Sequence, residues 1–127
     1  MFTDFPQEEE AMDETLGQKQ ERFARAHPRL VDKAIEIGSK WGCGVRLGDL
    51  FRDPRTNGEM GIKMGYGAAN SCHKLKMAQD INFVRESAIV GDGPEHKELH
   101  DFWDGMGGSK RIAEDINHYS FEHNGFR

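Results

Sequence analysis

The chain has 127 residues, 36% of them hydrophobic and 31% charged, and a formal net charge of −5. That is enough for one domain with a modest core and too few for two. No basic cluster exceeds a few residues and no run approaches the ~20 apolar residues of a membrane span, so neither a phosphate-tracking nucleic-acid surface nor membrane insertion is expected.

The start Met1-Phe2-Thr3-Asp4 has no basic region followed by an apolar one, so no secretory signal is expected. Cys43 and Cys72, whose spacing demands no disulfide, fit free thiols in a reducing cytosol. Residues 1–26 read as a polar, helical leader. Its acidic run Glu8-Glu9-Glu10 with Asp13 and Glu14 reads as a solvated helix face or a frayed terminus, Gly17 punctuates it, and residues 18–26 add a charged helical turn or two. A better helix opens at His27-Pro28, because proline lacks only an amide proton that the first helical position leaves unused. Leu30, Val31, Ala34, Ile35 and Trp41 recur at helical spacing, with Trp41 expected in the core, and Gly42 suits the stop.

Residues 43–52 read as a strand, with Val45, Leu47 and Phe51 on one face and Arg46, Leu50 and Arg52 on the other. Asp53-Pro54 breaks it, and the glycine-rich segment 58–70 reads as a loop, with or without a short helix inside it. Residues 78–84 form the next strand: Ala78, Asp80, Asn82 and Val84 share one face, and Gln79, Ile81 and Phe83 the other, with Met77. Residues 87–90 suit its hairpin partner, and Gly91-Asp92-Gly93-Pro94 is a turn. Residues 95–105 read as a helix burying Leu99, Phe102, Trp103 and Met106, ended by Gly107-Gly108; residues 118–122 are the last strand. Helices mixed with short, mostly antiparallel strands predict an α+β domain.

Two imidazoles and two carboxylates stand out: His73, Asp80 and His118, with Asp115 three residues before the last. Three neutral or anionic ligands of this kind suit a catalytic Zn2+ that keeps one position for water, and a further carboxylate suits the proton transfer such chemistry needs. An odd separation would put His73 and Asp80 on opposite faces of one strand, so His73 must lie in the loop before it. Asp115 then falls on a bend and His118 at the start of the last strand. His96 and His100, four apart on a helix, lack a glutamate directly after the first histidine and read as a solvent-facing pair. Cys72 points away from His73 and reads as a small buried residue rather than a nucleophile. His123 faces away from His118 and is the weaker third ligand.

The pattern Ser71-x-His73, Asp80, then Asp115-x-x-His118 resembles the peptidoglycan-cleaving zinc peptidases: the D-alanyl-D-alanine carboxypeptidases and the L-alanyl-D-glutamate endopeptidases of phage endolysins. The likeness runs from about His27 to Phe126 and includes His27-Pro28-x-Leu30, a strand ending in Phe51-Arg52, Phe102-Trp103 before Gly107-Gly108, and the closing phrase from Asn117 to Gly125. It implies a Hedgehog/D-Ala-D-Ala-peptidase-like fold in a single domain over 1–127, with a leader at 1–26 and a catalytic core at 27–126. His73, Asp80 and His118 would be zinc ligands and Asp115 the general base. Arg52 would contact a substrate carbonyl or carboxylate, and Ser71 would support the site or touch substrate. Tyr119 and Ser120 replace the Phe-Glu that follows the last histidine in many relatives, and no glutamine follows between Arg52 and Glu59. The implied protein is a monomeric lysis enzyme, made in the host cytoplasm and acting on bacterial peptidoglycan after release. The alternatives are a non-enzymatic cell-wall or phage module whose structural zinc is closed by Cys72 or His123, and a metal nuclease built on Asn117, His118 and His123, which the acidic charge disfavours.

Overall fold

The computed structural model describes residues 14–48, 50, 73, 77–112 and 115–122. Within them the chain is a small α+β domain: α1 (Leu16–Trp41), β1 (Gly44–Leu47), β2 (Ala78–Arg85), β3 (Ala88–Ile89), α2 (Pro94–Gly105) and β4 (His118–Ser120).

The first helix begins earlier than expected. Thr15 and Gln18 form a reciprocal capping box, each side chain satisfying the other's backbone amide at 3.0–3.1 Å. From there α1 runs through Pro28 instead of starting at it, so position 27 falls inside the helix. An interior proline costs about 3 kcal/mol, through the lost bond to the Ala24 carbonyl and the ring clash. The reason the helix survives is its stripe. Phe23 and Ala26 before the proline, and Leu30, Ala34 and Ile37 after it, are all buried on one face. Burying Phe23, Leu30 and Ile37 alone contributes roughly 5–9 kcal/mol, which outweighs the break. The same stripe corrects two core expectations, because it turns Ile35 and Trp41 outward (51% and 36% exposed). Gly42 closes the helix in the left-handed conformation, φ 74°.

The sheet is antiparallel throughout and centred on β2. β1 pairs with its C-terminal half, Gly44 opposite Val84 and Leu47 opposite Ile81. The expected 43–52 strand is shorter, with Leu50 already in a bend; Asp49 and residues 51–53 lie outside the described residues. β3 returns from β2 by a two-residue turn, Glu86-Ser87, in which both residues have positive φ (52° and 68°). That is the hand which matches the twist of the flanking strands. β4 pairs with the other half of β2, setting Asp80 opposite His118, Gln79 opposite Tyr119 and Ala78 opposite Ser120. The two faces of β2 divide as expected: Gln79, Ile81 and Phe83 are buried, while Asp80, Asn82 and Val84 are half-buried.

α1 and α2 enclose a core completed by Met77, Ile81, Phe83, Leu99, Trp103, Met106, Tyr119 and Phe121. Trp103 is fully buried, stacks on Phe121 at 5.0 Å and donates its indole N–H to the Ser120 carbonyl at 2.9 Å. A side chain at Gly108 would strike that indole at 2.2 Å, so only glycine allows the chain to turn back over Trp103 after α2. Glu95, in the first turn of α2, is buried against Arg85 of β2 at 2.7 Å. Burial pushes its carboxyl upward, but its own backbone N–H and the Arg85 guanidinium together hold it below the ordinary value.

Candidate metal centre

Pairing of β2 with β4 builds half of the centre directly. Asp80 and His118 are cross-strand partners, so both side chains leave the same face of the sheet. His118 Nδ1 lies 3.6 Å from Asp80 Oδ1. His73 comes from outside the strand, as its odd separation from Asp80 requires, and sets Nε2 2.9 Å from the same carboxylate oxygen. The two imidazole rings meet edge to face, 5.1 Å apart. His73 is completely buried, His118 nearly so, and Asp80 partly.

Close packing at the end of β1 fixes Asp80 from behind. Gly48 N–H donates to the Asp80 carbonyl at 2.8 Å, and a methyl at position 48 would sit 3.0 Å from Asp80 Cβ. The buried amide of Gln79 ties the same corner together, donating to the carbonyls of Gly48 (3.1 Å) and Asp80 (2.9 Å) while its oxygen accepts from His27 Nε2 at 2.6 Å. Asp115 follows from a tight turn. It bridges to Ile112, its carbonyl accepts from His118 N–H at 3.2 Å, and its carboxylate lies 4.0 Å from His118 Nδ1 while half-exposed. Asn117 holds the turn to β2 by donating to Asn82 Oδ1 at 3.1 Å and accepting from Ile81 N–H at 2.8 Å.

The donor set fits a metal ion. One ligand atom each from His73, Asp80 and His118 lies within 4.8 Å of the others. Tetrahedral bonds of about 2.0–2.1 Å separate ligand atoms by roughly 3.4 Å; the 3.6 Å His118–Asp80 contact is close to that, and the 2.9 Å His73–Asp80 contact would open by about half an ångström. The His73 ring is held between two oxygens, with Nδ1 3.2 Å from the Leu50 carbonyl and Nε2 2.9 Å from the Asp80 carboxylate, so Nε2 is the nitrogen turned to the centre. Burial pushes the Asp80 carboxyl upward, but hydrogen bonds from His118 and His73 and their charge outweigh it and bring it to about 2. Asp80 is therefore anionic across the whole working pH range. Together these groups can hold a divalent cation with Asp115 beside it.

Arg52 and Ser71, the expected substrate contacts, lie outside the described residues, as do Cys72 and His123. His96 and His100 are not solvent-facing: both are buried on α2. His96 Nδ1 hydrogen-bonds the Tyr119 hydroxyl at 2.6 Å, and His100 stacks on the Tyr119 ring at 4.1 Å. His100 Nε2 also donates to the Ile116 carbonyl at 2.7 Å, which pins the Asp115–His118 turn from the core side. The signal for this was present. His96, Leu99, His100 and Trp103 follow the i, i+3, i+4, i+7 spacing of one buried helix face.

No protein-family model matches the chain, and comparison with curated proteins returns no significant match. Among the described residues, no helix is long and apolar enough to cross a membrane.

Proposed function

We propose that the chain is a zinc-dependent peptidase that cuts a peptide bond in bacterial peptidoglycan stem peptides, with a Hedgehog/D-Ala-D-Ala-peptidase-like architecture and a role as a phage endolysin. One observation carries this reading: two buried imidazoles and a carboxylate converge within 4.8 Å, with a second carboxylate 4.0 Å from one of the imidazoles. Two histidines, one aspartate and a position left for water form the donor set of a catalytic zinc, and the motif order resembles that of the peptidoglycan peptidases.

His73, Asp80 and His118 would hold the ion. Zinc supplies Lewis-acid polarisation of a carbonyl and brings the pKa of a water toward about 7. Asp115 is half-exposed, so its carboxylate stays reachable from solvent and can accept a proton beside the ligands and return it to the leaving amine. Burial of the His73 and His118 rings keeps solvent from competing for the donor atoms. Arg52 and Ser71 remain the proposed substrate contacts, on the family pattern alone. Bacterial peptidoglycan is the proposed partner.

The test is digestion of purified peptidoglycan by the zinc-loaded protein, with fragments weighed by mass spectrometry. Asp115→Ala should retain one zinc per chain and lose turnover by roughly 10²–10⁴-fold, the usual contribution of a positioned base. His118→Ala should lose both metal and activity. Near-normal cutting by Asp115→Ala would remove the base from this scheme, and intact wall peptides with the native protein would remove the peptidase.

A further inference from the structure

A second polar site lies away from the metal ligands. Lys19 and Arg22, three residues apart on α1, are both buried, at 7% and 4% exposure. Buried cations ordinarily face carboxylates, because taking charge out of water is unfavourable unless it is neutralised nearby. Arg22 has one such partner: its Nε and one terminal nitrogen bond the two Glu14 oxygens at 3.0 and 3.1 Å. Its guanidinium also lies 4.3 Å over the Phe121 ring. The remaining nitrogen, Nη1, is buried with no hydrogen-bond partner. Lys19 has no carboxylate partner among the described residues; its ammonium donates to the Glu122 backbone carbonyl at 2.6 Å. Ser109 Oγ is likewise buried and unpartnered.

All three side chains line one cavity of about 320 Å³, walled by the Phe121 ring and by backbone at Gly107 and Gly108. The volume is at the lower end of what small-molecule sites use. Glu14 faces Arg22 and the exposed Glu122 stands at the rim, so what the cavity interior offers is not excess charge but buried donors: the Lys19 ammonium, the unpartnered Arg22 Nη1 and the unpartnered Ser109 hydroxyl. None of these residues belongs to the metal group. We propose that the cavity binds the oxyanion end of a small ligand, a singly charged carboxylate or a phosphate, through Lys19 Nζ, Arg22 Nη1 and Ser109 Oγ, with the rest of the ligand against Phe121.

The experiment titrates the full-length chain with sodium acetate and, separately, with inorganic phosphate at constant ionic strength, following the backbone amide signals of Gly108 and Ser109 by NMR. Saturable shifts with acetate identify a carboxylate site, and saturable shifts with phosphate a phosphate site. The same response should persist in His118→Ala, which removes the candidate metal centre as the binding locus. Lys19→Met should weaken it at least tenfold, and Ser109→Ala less. Arg22→Lys, which keeps the charge but loses Nη1, gives an independent loss, with the dispersion of the amide spectrum checking that the variant is folded. Linear shifts, equal shifts with chloride, loss of binding in His118→Ala, or undiminished binding in both cation variants would each overturn the proposal.

Discussion

Two groups of buried imidazoles flank β4, and they differ in what surrounds them. On one face His118 meets His73 across a shared carboxylate, with a second carboxylate close by. On the other face Tyr119, the next residue, packs against His96 and His100, where the partners are a phenol ring, a hydroxyl and a backbone carbonyl. Both pairs are buried, and both could in principle offer nitrogen lone pairs. Among the described residues, only the first has a carboxylate within 4.0 Å of its ring nitrogens to offset a cation taken from water. The second lowers its own affinity for any positive charge: burial, and then the neighbouring His100, bring His96 down to about 4, and burial lowers His100 too. Counter-charge, rather than the number of histidines, separates a ligand set from a structural one.

If that contrast is right, damage to the two sides should separate cleanly. Asp80→Asn should abolish stoichiometric metal binding, weakening it on the order of a hundredfold or more, since it removes a ligand and the anion both histidines face. Calorimetric zinc titration measures this, and the metal-free form should remain folded. His100→Ala should do the reverse. Losing a buried ring and stranding the Ile116 carbonyl should cost about 2–4 kcal/mol in urea unfolding while one zinc still binds. Equal loss of metal from both variants would erase the distinction.

Acid should separate the two faces again. A histidine held neutral to about 4 binds its proton in the unfolded chain first, near 6.5. Stability contributed by His96 is therefore complete above about pH 6.5, falls as pH drops toward 4, and is level below it. Between pH 7 and pH 5 the loss reaches up to about 2 kcal/mol. Urea midpoints at the two pH values should differ less in His96→Gln than in the wild type. Asp80, with a depressed carboxyl, keeps its contribution until pH falls from the ordinary 3.8 toward about 2, so it adds nothing to that window. The smallest expected effect is Gly48→Ala. Its methyl presses on Asp80 Cβ, so zinc affinity should drop by a few-fold with little change in overall stability.

Much of this was legible before any coordinates, and for a physical reason. Period-two patterning in β2 assigns Asp80 to the half-buried face, and two strands that pair must present their polar partners together. The candidate site could therefore be read from Asp80, His118 and the parity argument for His73. α1 was misread because Gly17 and Pro28 are strong local signals, whereas the Thr15–Gln18 box and the Phe23-to-Ile37 stripe are distributed ones. Local propensity lost to tertiary burial there. His96, His100, Lys19 and Arg22 were missed for a shared reason. Polar side chains at apolar spacing look like a solvated face until the elements that satisfy them, or leave them wanting, are in place. Exposure of Arg52 and Ser71 to substrate is a matter of chain geometry outside the described residues, where motif order is the sole guide.

The two indoles of this protein make an internal spectroscopic pair. Trp103 is sealed between Phe121 and the chain at Gly108, whereas Trp41 sits at the surface with its N–H 3.3 Å from Glu98 and the Lys40 ammonium 5.3 Å from its ring. A collisional quencher such as acrylamide reaches only the second while the fold is closed. Steady-state emission therefore resolves into a red, quenchable component and a blue, protected one. The protected fraction reports loosening of the interior without any added dye, label or substitution.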